Sequence, residues 1–379
     1  NENKNFVELI LHVYSQFNDI KEDVIEDIKD YIEELLLQHI KVENPIYSNS
    51  QLKYLEDKLT HLEKIPQPEQ RTPEWYEFRN NRLTASDLYY ITSNNEKKII
   101  DIVKKKCGIE SNYSPGAAIL HGIKFEPVAT KIYEDRCNVH ITEFGCLPHP
   151  SIPFFGASPD GICSIQSINK NFVGRMLEIK CPKSRPITGI IPPVYFAQVQ
   201  GQLEVCDLEY CDFLECDFQM YGSKADFLQD VFVSETGKRD LSKNTKGFEK
   251  GVIFEIYNTT TKDYSFKYAD THFASEEEFD KWEDPLIDMI LDSEDLEHVG
   301  TTFWYLNNIS IVLVKRDKEW FQRSFGKIKK FWNAVEDARI NGIPEKKKKV
   351  TKIDMSQFTG SVSANKIIET TADFNTSTK

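Results

Sequence analysis

The sequence predicts an α/β (α+β) protein in which helices flank a central mixed sheet. Three segments, at residues 154–162, 175–180 and 208–216, carry apolar side chains in the short or alternating runs that are typical of strands. Pro and Gly punctuate the first segment, and Pro182 ends the second. Apolar residues at helical spacing occur before and after these segments, so we expect helices to pack against the sheet.

The two ends of the chain differ from its middle. The 379 residues are enough for one large core with an appendage or for two domains. We predict a helical N-terminal extension at residues 1–66, a main domain at 70–342 and a disordered polar tail at 343–379. The extension is either a helical cap on the main domain or a separate partner-binding domain. Its two apolar stripes consist of Val24, Ile28, Tyr31, Ile32 and Leu35, and then of Leu52, Leu55, Leu59 and Leu62.

In the second half of the main domain, the sequence predicts further strands and two capped helices. Each helix is preceded by a residue that favours the N-cap position, and the acidic first turn of one helix suits its dipole. The predicted elements are a hairpin of residues 251–257 and 264–268, a helix at 275–291 capped by Ser275, a strand at 304–314 and a helix at 317–341 capped by Asp317.

The last predicted helix and the tail both carry clusters of positive charge. Each cluster has more than one possible role. Basic and aromatic side chains are interleaved from Trp320 to Arg339. This helix either follows a DNA backbone with its basic face or is a solvated helix with its aromatic side in the core. The run Lys346–Lys349 is a nuclear signal, a nonspecific phosphate contact or part of a soluble tail.

Composition excludes several classes of protein. The formal net charge of −13 argues against a uniformly basic nucleic-acid coat, but not against an enzyme with a local basic path and metal ions. The eight cysteines form no CxxC pair, so we expect reduced thiols of an intracellular protein rather than a zinc site. No apolar run approaches ~18 residues, so no membrane span is expected.

One group of residues carries a recognisable chemistry. Asp160 is followed after 17 residues by Glu178 and then by Lys180. Carboxylates hold hard divalent cations through oxygen, and a lysine beside them can position or deprotonate a water or stabilise charge on a phosphate. Alternation along a strand puts Glu178 and Lys180 on one face and directs Leu177 and Ile179 into the core. The pattern predicts a Mg²⁺-dependent phosphodiester hydrolase, although it also occurs on solvated strand faces.

The motifs around these residues resemble a known family. In chain order they are Trp75 to Arg79, Leu83 to Asp87, His121 to Ala129, Gly156 to Gly161, Leu177 to Pro182 and Tyr195 to Gln200. Their order and approximate spacing across residues 71–216 are similar to those of the lambda-exonuclease-type group of PD-(D/E)XK nucleases. This group is also called YqaJ-like viral recombinases or viral alkaline exonucleases. Asn81 departs from the family pattern, in which glycine is common at this position.

The resemblance implies a restriction-endonuclease-like core with a metal-dependent cleavage site. Glu126, Asp160 and Glu178 would be catalytic carboxylates and metal ligands, together with the backbone carbonyl of Ile179. Lys180 would act beside the attacking water. The implied cofactor is Mg²⁺ or Mn²⁺, bound as two ions.

The resemblance also implies a site for the 5′-terminal phosphate of the strand being degraded. Arginine offers a planar, bidentate grip on phosphate, and Ser and Gln supply neutral donors. From the residues alone, Arg79 could instead pair with Glu74 or Glu77, and Ser86 could instead cap a helix. The implied residues are Arg79, Ser86, Ser158 and Gln198, with Tyr195 and Gln200 as further members.

The activity implied is a 5′→3′ exonuclease on double-stranded DNA ends, which leaves 3′ single strands for recombination, repair or replication. The alternatives are a structure-selective or single-strand nuclease of the same fold and a non-enzymatic DNA-end-binding module. Expected partners are duplex DNA ends, a single-strand annealing protein and further copies of the chain. The Lys-, Asn- and Ile-rich composition is typical of large DNA viruses and phages. A viral origin predicts a location in the cytoplasm or nucleus of the host cell.

Overall fold

A computed structural model describes residues 44–68, 70, 72–109 and 116–343 of the chain. The predicted apolar stripe from Val24 to Leu35 and the Lys346–Lys349 run lie outside the described residues. In chain order, the described α-helices are α1 (Asn49–Lys64), α2 (Pro73–Asn80), α3 (Leu88–Thr92), α4 (Glu96–Lys106), α5 (Ala117–Cys137), α6 (Pro193–Cys206), α7 (Lys224–Gln229), α8 (Glu276–Leu291) and α9 (Lys318–Asn341).

The strands form one large sheet, one small sheet and a separate two-stranded ribbon (β8 and β9). In chain order they are β1 (Leu83–Thr84), β2 (Ile141–Thr142), β3 (Leu147–Pro148), β4 (Phe155–Ala157), β5 (Gly161–Cys163), β6 (Met176–Lys180), β7 (Tyr210–Met220), β8 (Phe232–Val233), β9 (Arg239–Asp240), β10 (Lys250–Asn258), β11 (Asp263–Tyr268) and β12 (Leu296–Lys315).

The large sheet is mixed, as predicted. Its seven strands follow the order β11-β10-β12-β7-β6-β5-β2. Strands β6 and β7 are parallel, and the other neighbouring pairs are antiparallel. The connection from β6 to β7 contains α6, as expected for a parallel pair joined by a crossover helix. The α/β prediction with a mixed sheet between helices is therefore confirmed.

Residues 154–162 do not form one strand. β4 belongs to the small sheet, in the order β1-β4-β3, whereas β5 belongs to the large sheet. The chain passes from one sheet to the other through Ser158, Pro159 and Asp160. Two predicted site residues thus lie on the connection between the sheets.

The core lies on both faces of the large sheet. Phe213 packs in a cluster with Val199 of α6 and Ile328 of α9. Its neighbour Leu214 packs in a second cluster with Phe125 of α5. Because successive strand residues face opposite sides, β7 separates these two apolar layers.

The described part of the N-terminal extension packs against the core. A capping box between Ser48 and Gln51 begins α1. Leu59 and Leu62 are buried in the same cluster as Phe155. The following segment is anchored as well, since the Gln67 side chain accepts a hydrogen bond from the backbone N–H of Gly145. The division of the chain into domains remains a prediction.

Glycine at position 201 allows α6 to approach the small sheet closely. A Cβ atom at Gly201 would lie 2.4 Å from Leu88 Cδ1, 3.0 Å from Ala85 Cβ and 3.2 Å from Phe155 Cζ. All three neighbours are buried. The close approach brings α6 against the short 3₁₀ turn Ala85–Asp87 that carries Ser86.

Most predicted elements of the second half are present. The hairpin forms with Asn258 opposite Asp263, and Ser275 and Asp317 cap α8 and α9 through their side chains. The late strand is longer than predicted, because β12 pairs with β10 through its first half and with β7 through its second half. No helix of the described residues is long and apolar enough to cross a membrane.

The aromatic side of α9 faces the core. Phe321, Phe331 and Trp332 are buried in the cluster shared with α6. Arg323 and Glu319 form an exposed ion pair at 3.8 Å. This arrangement favours the interpretation of α9 as a helix with a solvated basic face.

Candidate active site

Asp160 and Glu178 lie together where β5 begins beside β6. Gly161, the first residue of β5, pairs with Leu177 in β6. The Asp160 carboxylate accepts a hydrogen bond of 2.6 Å from the backbone N–H of Ile179. Leu177 and Ile179 belong to the core cluster around α5, while Glu178 faces the other side, as alternation predicts.

The Glu178 carboxylate accepts hydrogen bonds from three side chains. Lys180 forms a short ion pair with its Oε1 atom. Gln198 Nε2 donates to the same oxygen at 2.6 Å, and Gln202 Nε2 donates to Oε2 at 2.7 Å. The Glu178 side chain is fully buried, so these donors provide the compensation that a buried charge requires. The carboxylate is held in one orientation.

The sequence analysis did not place Gln202 in the site. Its amide also donates to the backbone carbonyl of Ser158, at 3.2 Å. Gln198 and Gln202 are four residues apart on α6 and therefore share one face of the helix. That spacing is the signal that could have identified Gln202.

The surroundings of Lys180 favour its charged form. Burial by itself would lower the pKa of Lys180, but the charges of Glu178 and Asp160 and the hydrogen bond to Glu178 raise it above the usual value. Its Nζ atom lies 5.0 Å from the ring centroid of Tyr195. The ammonium stabilised in this way donates a hydrogen bond to the Glu178 carboxylate.

The pKa of Asp160 is also raised, and burial is the largest cause. Burial disfavours the charged carboxylate, and the negative charges of Glu178 and Glu126 raise the pKa of Asp160 further. Lys180 and the backbone N–H of Ile179 oppose this increase. The carboxylates of Glu126 in α5, Glu178 in β6 and Asp160 in the turn before β5 therefore interact electrostatically.

The donor chemistry of this region fits a hard divalent cation, whereas its arrangement is not preformed. Carboxylate oxygens are ligands that Mg²⁺ accepts, and a cation would relieve the repulsion that raises the pKa of Asp160. However, no group of three or more His, Cys, Asp or Glu side chains among the described residues is placed to hold a metal ion. Glu178 already accepts from Lys180, Gln198 and Gln202, so cation binding requires at least one donor to shift.

Arg79 lies between two serines from different parts of the chain. Its Nη1 atom donates to Ser158 Oγ at 3.2 Å, and its Nη2 atom lies 3.5 Å from Ser86 Oγ. The guanidinium carbon is 4.3 Å from the ring centroid of Trp75. Within the described ranges, no ion pair joins Arg79 to Glu74 or Glu77. The surface ion-pair alternative is therefore not what the structure contains.

Ser86 is not the helix cap that one alternative predicted. It lies inside the 3₁₀ turn, and Asp87 is the N-cap residue of α3. The Ser86 hydroxyl is 3.2 Å from Thr84 Oγ1 and is directed toward Arg79. A turn held by its backbone and by Thr84 leaves this hydroxyl for the arginine.

The remaining predicted members of the phosphate site occupy different places. Gln198 binds Glu178 rather than the Arg79 group. Tyr195 stacks on Phe213 at 5.5 Å, beneath Lys180.

The prediction that Gln200 contacts DNA is wrong. Gln200 is 1% exposed. Its side chain donates to the carbonyl of Lys315 at 2.9 Å and accepts from the N–H of Asp317 at 2.7 Å. The NH₂ and the C=O of the Gln200 amide are therefore both used to hold the connection from β12 to α9. Residues 198 and 200 face opposite sides of the helix, because two residues correspond to about 200° of rotation.

A further buried carboxylate adjoins the site. Glu215 lies opposite Lys180 in the parallel pairing of β6 and β7, and it is fully buried. Arg185 forms a short ion pair with it. The guanidinium of Arg185 is also 5.8 Å from the ring centroid of Tyr195. The sequence analysis did not identify Arg185 or Glu215, which lie 30 residues apart in the chain.

Comparison with solved structures returns exonucleases with low sequence identity. The alkaline exonuclease of Laribacter hongkongensis is 17% identical, with 71% of this chain and 95% of that chain covered, at a TM-score of 0.38. The same enzyme in complex with dAMP gives a TM-score of 0.39 with the same identity and coverage. A phage-related exonuclease from Haemophilus somnus is 12% identical, with 69% and 96% of the two chains covered, at a TM-score of 0.35.

Comparison of sequences gives a more direct result. An uncharacterized protein of Acanthamoeba polyphaga mimivirus is 33% identical over an alignment of 340 positions that covers 83% of this chain. The chain spans 59% of the length of that relative. Residues 74–209 match the YqaJ-like viral recombinase domain, and this segment contains the Arg79 group, Asp160, Glu178, Lys180 and α6. The match identifies residues 74–209 as a YqaJ-like viral recombinase domain.

Proposed function

We propose that this protein is a metal-dependent DNA exonuclease that degrades duplex DNA in the 5′→3′ direction and leaves 3′ single strands. The observation that carries the proposal is the adjacency of two sites. Ser158, which contacts Arg79, is two residues from Asp160 in the turn that joins the two sheets. A terminal phosphate held at Arg79 would therefore lie beside the carboxylate region. An enzyme with this arrangement reads a chain end and cleaves next to it.

The carboxylates would hold the cation, and Lys180 would neutralise the phosphate. A divalent cation bound by Asp160, Glu178 and Glu126 would stabilise developing charge and lower the pKa of a bound water. The ligands proposed are Mg²⁺ or Mn²⁺, as two ions, with the Ile179 carbonyl as an added donor. The Lys180 ammonium would donate hydrogen bonds to the scissile phosphate, where pre-placed charge contributes most in a site that excludes water.

The Arg79 group would recognise the 5′-phosphate. Arginine grips phosphate oxygens through two parallel N–H groups, and the hydroxyls of Ser86 and Ser158 supply neutral donors beside it. Gln198 would join this group only by releasing Glu178. Since a terminal phosphate carries more charge than an internal diester, such a pocket favours phosphorylated ends.

The wider role is part of the same proposal. The match of residues 74–209 to the YqaJ-like viral recombinase domain supports a function in viral recombination, repair or replication. The proposed partners are duplex DNA ends, a single-strand annealing protein and further copies of the chain. The mimivirus relative supports action in the cytoplasm or nucleus of a host cell.

The proposal is tested with 5′-phosphorylated and 5′-hydroxyl duplexes in Mg²⁺. The intact protein should digest phosphorylated ends faster, and Arg79→Ala should reduce this preference about ten- to a hundredfold through the loss of charge-assisted bonds. Arg323→Ala, which removes an exposed arginine of α9, is the control and should leave the preference unchanged. Rapid cutting of closed circular DNA, or equal slowing of Arg79→Ala on both ends, would contradict the proposal.

A single-strand or structure-selective nuclease would be revealed in the same experiment. Single strands and branched duplexes, labelled at either end, would then be the preferred substrates over linear duplex. A non-enzymatic end-binding module would bind the duplexes without releasing nucleotides in either Mg²⁺ or Mn²⁺.

A further inference from the structure

The last turn of α2, which carries Arg79, is held by cations from two other helices. Lys106 of α4 donates from Nζ to the backbone carbonyl of Arg79 at 2.7 Å. Arg339 of α9 donates from Nη2 to the carbonyl of Asn80 at 2.9 Å. The last carbonyls of a helix have no intrahelical partner, and positive charge is favourable at this end of the helix dipole. The two cations therefore fix the end of a helix that is only eight residues long.

Lys106 also contacts the other side of the Arg79 group. Its ammonium lies 3.9 Å from Asp87 Oδ2. The same Asp87 oxygen accepts from Thr84 Oγ1 at 3.1 Å, and that hydroxyl is 3.2 Å from Ser86 Oγ. One ammonium thus connects the backbone of Arg79 with the hydrogen-bonded chain that ends at Ser86.

The position of Lys106 is unusual for a lysine. It is 3% exposed, and burying an ammonium is costly unless hydrogen bonds or charges compensate. Burial lowers the pKa of Lys106 to about 8, although the Asp87 charge opposes this shift. Its neighbour Lys105 is exposed on the same helix. A lysine that only solubilised α4 would extend into solvent, as Lys105 does.

Arg339 fixes Lys106 in turn. Its Nε and Nη2 atoms donate to the backbone carbonyl of Lys106 at 3.2 and 2.8 Å. One guanidinium therefore joins the ends of α2 and α4. The C-terminal helix α9 is connected through this arginine to the group that contains Arg79.

We propose that Lys106 is a positioning residue for the phosphate pocket, which it acts on through Arg79, and that Arg339 holds Lys106 in place from α9. The inference rests on the proposed function of the Arg79 group. Lys106 fixes the Arg79 carbonyl on one side and the Asp87–Thr84–Ser86 chain on the other. The guanidinium then faces Ser86 and Ser158 before any DNA end arrives, so less ordering is needed on binding.

The test is the ratio of digestion rates on 5′-phosphorylated and 5′-hydroxyl duplex for a set of variants. Lys106→Met keeps the apolar stem and removes the ammonium, and it should lower the ratio about tenfold. Lys106→Arg should restore part of it. Lys105→Met, one residue away on the exposed face, is the matched control and should leave the ratio unchanged. In the Arg79→Ala background, Lys106→Met should cause no further loss, since coupled residues are non-additive.

The outcomes separate this inference from the function on which it rests. If the intact protein has no preference for phosphorylated ends, or if Arg79→Ala does not reduce it, the proposed pocket is wrong. If Arg79→Ala reduces the ratio while a folded Lys106→Met keeps it, the positioning role is overturned. An additive loss in the double variant overturns it as well. If Lys106→Met does not fold, the same ratio of digestion rates is measured for Arg339→Gln. A reduced ratio in that variant supports the positioning role of Lys106, and an unchanged ratio overturns it.

Discussion

Gln202 donates a hydrogen bond of 2.7 Å to Oε2 of the buried Glu178 carboxylate. The same amide nitrogen lies 3.2 Å from the carbonyl of Ser158, and Gln202 is 1% exposed. A single side chain of α6 therefore connects strand β6 with the turn that carries Ser158 and Asp160. Gln202 keeps the proposed cleavage site and the proposed phosphate pocket at a fixed separation.

Replacing Gln202 should impair cleavage. Gln202→Leu removes a donor from Glu178 Oε2 and from the Ser158 carbonyl, so we expect DNA digestion in Mg²⁺ to fall about tenfold or more. The variant should also lose unfolding free energy, since the buried Glu178 Oε2 atom and the Ser158 carbonyl both lose this donor. Loss of the Gln202 Oε1 atom, which is buried without a hydrogen-bond partner, offsets part of that cost. Rates and thermal unfolding measured on the same preparation test this. A large drop in Tm with normal cleavage per folded molecule would show that Gln202 serves only the fold.

Replacing Gln200 should lower stability without impairing cleavage. Gln200→Leu leaves the Lys315 carbonyl and the Asp317 N–H without their buried partner, which should cost about 1–3 kcal/mol of unfolding free energy. Cleavage per folded molecule should remain near that of the intact protein. Urea unfolding at 25 °C, with Gln202→Leu as the matched variant on the opposite face of α6, checks the prediction.

Removing the charge of Asp160 should separate activity from stability. Asp160→Asn keeps an acceptor for the Ile179 N–H and removes the repulsion by Glu178 and Glu126 that contributes to the raised pKa of Asp160. We expect Tm to stay the same or rise, while cleavage in Mg²⁺ falls by about a hundredfold or more. Binding of a duplex end in Ca²⁺ should persist. Normal cleavage by this variant would remove Asp160 from the site.

The pH dependence of cleavage should show no deprotonation of Lys180. Its pKa is raised above the usual value by Glu178 and Asp160 despite burial, so we expect Lys180 to act as a cation in cleavage. Lys180→Met should lose most of the rate at every pH from 7 to 10, and Lys180→Arg should recover part of it through its charge. If a break near pH 8 in the rate profile disappeared in Lys180→Arg, Lys180 would be a titrating base.

His121 should make the fold sensitive to acid. Burial of His121, together with the charges of Lys124 and Lys183, lowers its pKa to about 4, and its Nε2 atom is buried without a hydrogen-bond partner. A histidine with a lowered folded-state pKa contributes stability above about pH 6.5, which is lost as pH falls toward 4. His121→Phe should reduce the loss of unfolding free energy between pH 6.5 and 4 by no more than about 3 kcal/mol.

The control for this prediction is exposed His61. Both variants should be compared with the intact protein by urea unfolding at several pH values. His61→Phe should leave the acid dependence as it is. An unchanged acid dependence in His121→Phe would show that other groups cause it.

Local sequence patterns determined much of the fold and part of the site. Alternation along β6 correctly put Glu178 on the opposite face from Leu177 and Ile179, because strand geometry has a period of two. Caps such as Ser275 and Asp317 marked helix starts through hydrogen bonds that span three residues. The fold class and the family followed from such short-range signals and from the order of the motifs. The roles of individual site residues stay predictions.

The tertiary structure alone decided which side chains meet. Arg79 reaches Ser158 across 79 residues, and Arg339 reaches Asn80 across 259 residues. No periodic pattern encodes such contacts, since they depend on the approach of α6 at Gly201 and on the passage of the chain between two sheets. For the same reason Gln198 and Gln200, which are the same residue type two positions apart, make different contacts. Helix rotation directs one toward Glu178 and the other toward the start of α9, and only the packing of α6 fixes which is which.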